Sequence, residues 1–232
     1  MCSTTQFMIH HIPAVLYGDS SEKLFLYIHG KMGCKEEAAR IAEIVCPKGY
    51  HVLSIDLPGH GERVGEMERF VPWEVVPELR AVYDYATEHW KNVSLYANSI
   101  GAYFSLLAFR DVKLEKSLFV SPILDMEKLI HDMMGWACVS WEQLWEAGEI
   151  STNFGETLSL KYLTYAEEHP ITKWDSPTAI LYAAKDHLTA RGTVVTFSRR
   201  FGCSVTVMEN GEHWFHTEEQ VAVLDAWLRK EI

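Results

Sequence analysis

The chain has 232 residues and a mass of 26.6 kDa, 48% of it hydrophobic, which suits one α/β domain with a large core. A formal net charge of −11 argues against nucleic acid and anionic membrane surfaces as partners. No apolar run is long enough to span a bilayer, and residues 1–10 lack the basic start and apolar stretch of a secretion signal. The five cysteines, Cys2, Cys34, Cys46, Cys138 and Cys203, are odd in number, scattered and without metal-ligand spacing, so reduced thiols and a cytoplasmic location are expected.

In chain order, residues 6–17 alternate loosely around Pro13, as in an edge strand or an opening hairpin. Residues 24–28 form a compact apolar run, hence a buried strand, followed by the loop His29-Gly30-Lys31-Met32-Gly33. Residues 35–46 have helical spacing, with Ala38, Ala39, Ile41, Ala42 and Val45 on one face, and Pro47 and Gly49 stop the helix. A strand at 51–55 leads into the glycine-rich turn Asp56-Leu57-Pro58-Gly59-His60-Gly61-Glu62-Arg63. A helix follows over 73–90, its start blurred by Pro77. Next come a strand at 92–97, a helix at 100–110 and a strand at 116–120.

Residues 121–175 break this rhythm with short helical patches, four tryptophans (Trp136, Trp141, Trp145, Trp174) and no convincing strand. Ten acidic residues against three lysines put most of the negative excess there, which reads as a solvated acidic surface. The tryptophans, with Met133, Met134, Phe154 and Tyr162, are expected to form mostly a local core, one or two of them reaching a ligand pocket. The pattern resumes with a strand at 179–184, a helix at 189–201 stopped by Gly202, a strand at 204–208, a turn at 210–213 and a closing helix at 217–230. Thr217 and Gln220 are spaced as a capping box.

Strands alternating with helices predict a mostly parallel sheet covered on both faces, with ligands at the carboxyl ends of the strands. The stretch around Ser99 fits that rule. A serine between strand and helix, with Ala97 and Gly101 two residues to either side, has the form of a nucleophile elbow, with alanine in place of the usual first glycine. Serine is a poor nucleophile unless an imidazole takes its proton and a carboxylate orients that imidazole. Ser99, Asp186 and His213 follow strand ends in one of the known chain orders. Ser99 could alternatively cap a helix and Asp186 the helix near Thr189. His216 rivals His213, and the His-x-x-His pair could suggest a metal, but no cysteine or acidic cluster accompanies it. His29 and His60 are expected to hold their loops by hydrogen bonds, and Cys34 to be a small buried filler.

The loop at 29–33, the turn at 56–61, Ala97-Asn98-Ser99-Ile100-Gly101, Ala183-Ala184-Lys185-Asp186 and Gly211-Glu212-His213, in this order, resemble the α/β-hydrolases across nearly the whole chain. The resemblance implies an α/β fold with a mostly parallel eight-stranded sheet, a core of residues 1–120 and 176–232, and a small helical cap at 121–175. It implies Ser99 as nucleophile, His213 as general base, Asp186 as its partner, and the backbone N–H groups of Lys31 and Ile100 as an oxyanion hole. No cofactor and no metal are implied.

The function expected is a serine hydrolase acting on a small to medium carboxylic ester through an acyl-enzyme, its partner a small-molecule substrate. A thioesterase, lysophospholipase, aminopeptidase-like amidase or carbon–carbon hydrolase uses the same machinery, and a non-catalytic binding protein uses the same scaffold. The oligomeric state stays open, a homodimer being one option.

Overall fold

A computed structural model describes residues 3–232; Cys2 lies outside them. The chain opens with an antiparallel hairpin, β1 (Thr4–Ile9) and β2 (Ile12–Tyr17), rather than one edge strand. Pro13 sits one residue outside the β2 ladder to the next strand and costs that ladder nothing; its carbonyl accepts the Asp56 N–H at 3.0 Å. Then follow β3 (Lys23–Ile28), α1 (Ala38–Val45), β4 (His51–Ile55), α2 (Pro72–His89), β5 (Asn92–Asn98), α3 (Ser99–Ala108) and β6 (Ser117–Val120). The helix expected over 35–46 is three pieces, α1 being flanked by 3-10 turns at Lys35–Glu37 and Cys46–Lys48. The expected turn beyond Gly61 continues as 3-10 structure to Arg69.

Residues 121–175 hold α4 (Met126–Ala137), α5 (Trp141–Ala147) and α6 (Leu160–Glu168). They also hold a two-stranded hairpin, β7 (Glu149–Ser151) and β8 (Thr157–Ser159), where no strand was expected. Strands of three residues are too short to show a period of two. The chain closes with β9 (Thr178–Ala183), α7 (Arg191–Phe201), β10 (Ser204–Met208) and α8 (Glu218–Glu231). At the start of α8, Thr217 accepts the Gln220 N–H, but the Gln220 side chain takes the His216 N–H, one residue before the cap, so the box is displaced. Ser140 and Gln143 make the full reciprocal box instead.

The main sheet has eight strands in the order β1-β2-β4-β3-β5-β6-β9-β10, and every pair from β4 to β10 is parallel. Strand alternation splits the core in two. Leu24, Leu26, Ile28, Leu95 and Ala97 face α2, α3 and the 121–175 segment. Phe25, Tyr27 and Tyr96 face α1 and α8. Carboxyl ends of β3, β5, β9 and β10 therefore meet along one edge, with distinct chemistry on either face. Cys34, Cys138 and Cys203 are free thiols, and Cys34 is half-buried rather than the buried filler expected. No helix among the described residues is long and apolar enough to cross a membrane.

Candidate active site

Ser99 is the first residue of α3 and has a φ of 48°, left-handed backbone that a non-glycine residue adopts only under strain. Two glycines make the tight passage possible. A Cβ on Gly101 would lie 2.4 Å from the His29 carbonyl oxygen, and one on Gly30 would lie 3.2 Å from the Ser99 Cβ. Ala97, in the position of the missing glycine, is fully buried in β5 and tolerated there.

The side chains of Ser99, His213 and Asp186 meet. Ser99 Oγ lies 2.7 Å from His213 Nε2, and His213 Nδ1 lies 2.7 Å from Asp186 Oδ2. The Asp186 side chain has no solvent exposure. Its other oxygen, Oδ1, accepts the N–H groups of Leu188 at 2.8 Å and Thr189 at 3.1 Å. One carboxylate thus fixes the turn ahead of α7 and faces the imidazole. The Ser99 hydroxyl points to His213 instead of capping α3. His216 turns away, its Nδ1 facing the Trp214 carbonyl at 2.7 Å.

Lys31 stands in a turn closed by the Gly33 N–H to the Gly30 carbonyl at 3.2 Å, with Met32 at a φ of 66°. Among the described residues the Lys31 N–H donates to no backbone acceptor. Ile100, in the first turn of α3, has no intrahelical acceptor for its own. The Met32 N–H donates to His60 Nε2 at 2.9 Å, and the Leu57 N–H to His29 Nε2 at 3.0 Å. The Nδ1 atoms face carbonyls, Pro58 at 2.8 Å and Gly30 at 2.7 Å, so both rings are neutral with the proton on Nδ1. Burial lowers the pKa of both, that of His29 to about 4. The two loops are therefore pinned to each other by imidazoles that stay uncharged. Beneath them the buried Lys35 ammonium donates to Asp56 Oδ2 at 2.9 Å, and the Asp56 carboxyl is held below its usual range by Lys35 and backbone donors against desolvation.

A cavity of about 760 Å³ opens at Ser99 and His213. It runs along the α1/α8 face of the sheet, lined by Tyr27, Glu37, Arg40, Tyr96, Asn98 and Leu224 among others. None of the aromatic or methionine residues singled out at 121–175 lines this cavity. Trp174 is core, its ring tilted against Phe119 and its N–H on Thr178, and Met134 is also buried. Trp136, Trp141, Trp145 and Phe154 lie exposed on the outside, which departs from both roles expected for them. The segment reaches the site loop through a different residue: Glu156, between β7 and β8, pairs with the Lys31 ammonium. In the same segment Glu127, His131 and Glu167 bring ligand atoms within 4.8 Å of one another, but all are exposed, and such groups are common without an ion.

Sequence reasoning missed Tyr27, Glu37, Asn98 and Glu156. Alternation along β5 puts Asn98 on the face of Tyr96, and alternation along β3 puts Tyr27 there too; that signal was available.

No protein-family model matches the sequence, and no curated protein does. Solved structures do match. Est1E from Butyrivibrio proteoclasticus, in a complex with ferulic acid, is 20% identical with a TM-score of 0.76, covering 98% of this chain and 97% of its own. A putative hydrolase from Agrobacterium vitis S4 is 14% identical with a TM-score of 0.80, covering 100% and 99%. Mouse alpha/beta hydrolase domain-containing protein 10 is 14% identical with a TM-score of 0.78, covering 99% and 98%. Sheet order, crossovers and these likenesses agree: the chain has the α/β-hydrolase fold.

Proposed function

We propose that the protein is a serine hydrolase that cleaves a small to medium carboxylic ester through an acyl-enzyme. The observation that carries this reading is the row of Ser99 Oγ, the His213 ring and the Asp186 carboxylate, each link 2.7 Å long. Ser99 Oγ attacks the ester carbonyl carbon while His213 Nε2 takes the hydroxyl proton. Asp186 keeps the His213 proton on Nδ1 and stabilises the imidazolium. The tetrahedral oxyanion is received by the N–H groups of Lys31 and Ile100, each such donor lowering the barrier by roughly 3 kcal/mol. The imidazolium then protonates the leaving alkoxide. A water, deprotonated by the same imidazole, attacks the acyl-enzyme and releases the acid and Ser99.

The fold's occurrence in an esterase from Pyrococcus furiosus and in other hydrolases supports the class of reaction. Residues 121–175 are read as a cap over the site, a reading supported by the Glu156 contact with Lys31. The reading is tested by Ser99→Ala with a short 4-nitrophenyl ester. Turnover is expected to vanish in the variant, and the wild type is expected to be labelled at Ser99 by a fluorophosphonate. Unchanged hydrolysis in the variant refutes the assignment; absence of a covalent adduct favours a non-catalytic binder.

A further inference from the structure

The cavity at Ser99 has a definite chemistry. Its walls are apolar where α1, α8 and β6 supply Ile41, Leu224, Leu228 and Val120. Its polar side is a chain of three residues. Asn98, next to Ser99, donates from Nδ2 to the Tyr27 hydroxyl at 3.1 Å, and that hydroxyl donates to Glu37 Oε2 at 3.3 Å. Glu37 lies against the turn that carries Lys31: a Cβ on Gly33 would sit 2.8 Å from Glu37 Oε2, so only glycine leaves the carboxylate this place.

Two groups in this chain are incompletely matched. Asn98 Oδ1 is buried with no hydrogen-bond partner. Glu37 forms no ion pair among the described residues, whereas the other charges of the lining are matched. Arg40 donates to both oxygens of Asp225, at 2.9 and 3.1 Å, Lys31 pairs with Glu156, and Glu36 pairs with Lys35 at 2.9 Å. The Glu37 carboxylate is exposed where it lines the cavity, so a cationic occupant can reach it and make a charge-assisted hydrogen bond. Desolvation by the cavity walls raises the Glu37 pKa, against the Tyr27 hydrogen bond.

We propose that this cavity is the acyl pocket of the enzyme, and that Glu37 selects an aliphatic acyl chain ending in a protonated amine. The proposal rests on Ser99 being the nucleophile. It makes Glu37 a specificity-determining residue on the α1/α8 face of the sheet.

The test compares kcat/KM for the 4-nitrophenyl esters of 6-aminohexanoic, heptanoic and 6-hydroxyhexanoic acids and for the adipic half ester. The wild type is expected to favour the amine over heptanoyl by about tenfold or more, ~1.4 kcal/mol. Glu37→Gln brings that ratio near unity, and Glu37→Lys turns the preference towards the adipic half ester. A reversal of sign cannot come from partial unfolding, so it guards against a merely damaged variant. Three results overturn the proposal: no amine preference in the wild type, a preference that survives Glu37→Gln, or a hydroxyl chain favoured over the amine. Fluorophosphonate labelling of Ser99 separates the two readings. Normal labelling without amine preference removes this proposal alone; no labelling removes the hydrolase assignment and this proposal with it.

Discussion

Asp186→Asn is the substitution whose outcome the geometry constrains most tightly. The two carboxylate oxygens have different work: Oδ1 accepts two backbone N–H groups, from Leu188 and Thr189, and Oδ2 faces His213 Nδ1 at 2.7 Å. An asparagine can satisfy both backbone donors only with its carbonyl oxygen in the Oδ1 place. Its NH₂ group must then face His213 Nδ1. That nitrogen has to become the acceptor, and the imidazole proton moves to Nε2, against Ser99. The ring then meets the serine hydroxyl with a donor and has no lone pair for its proton. This tautomer fault costs about 10⁴-fold where the same change has been made in serine proteases, or roughly 5 kcal/mol of barrier. Stability should barely change, because every buried N–H keeps its acceptor. Asp186→Ala is the contrast: it orphans two N–H groups at about 1–3 kcal/mol each, a loss read as a lower melting temperature at roughly 2–4 °C per kcal/mol. The assay is kcat/KM on a 4-nitrophenyl ester with thermal melts of both variants. An Asn variant within tenfold of wild type, at unchanged stability, refutes the account of how His213 is oriented.

The pH dependence of stability is expected to carry the mark of His29. Its folded pKa, about 4, lies below the unfolded value of about 6.5, so the unfolded chain binds the extra proton; stability is whole above pH ~6.5 and falls as pH drops towards 4, by about 3 kcal/mol in all. Thermal melts from pH 7 to 4 check this, and His29→Asn should flatten that part of the curve. Gly101→Ala drives a Cβ to within 2.4 Å of the His29 carbonyl oxygen and should cost about 3 kcal/mol or more, with loss of activity, because backbone has to move. Lys31→Ala keeps the backbone N–H and should lower kcat/KM less than tenfold; a double-mutant cycle with Glu156→Ala should give about 0–1 kcal/mol for this exposed pair. Ser99→Gly should abolish esterase activity yet melt higher than Ser99→Ala, since glycine accepts a φ of 48° and alanine is left with about 1 kcal/mol of strain.

The parts of the molecule legible in the sequence share a cause. Parallel strands buried on both faces read as apolar runs, and a turn that needs a glycine or a polar side chain at a strand end prints that need into the sequence. The strands at 24–28, 51–55, 92–97 and 204–208 fall within a residue or so of β3, β4, β5 and β10, and Ser99, Asp186 and His213 sit in the loops assigned to them. The 121–175 segment was harder because its elements are short. Helix α5 has seven residues and the strands of its hairpin three, too few to set a period, so bulk aromatic content stood in for pattern and pointed inward. Three of its four tryptophans instead lie exposed. The cavity was hidden for another reason. Tyr27, Glu37 and Asn98 come from a strand, a 3-10 turn and a strand end, and nothing in any one stretch marks them. They meet because two parallel strands lie in register, Tyr27 beside Tyr96, and because α1 packs on the face both tyrosines share. An elbow can be read from five consecutive residues since the strain is local to them. A pocket is a property of pairing between distant segments, and here the pairing placed it on the side of the sheet opposite the tryptophan-rich segment.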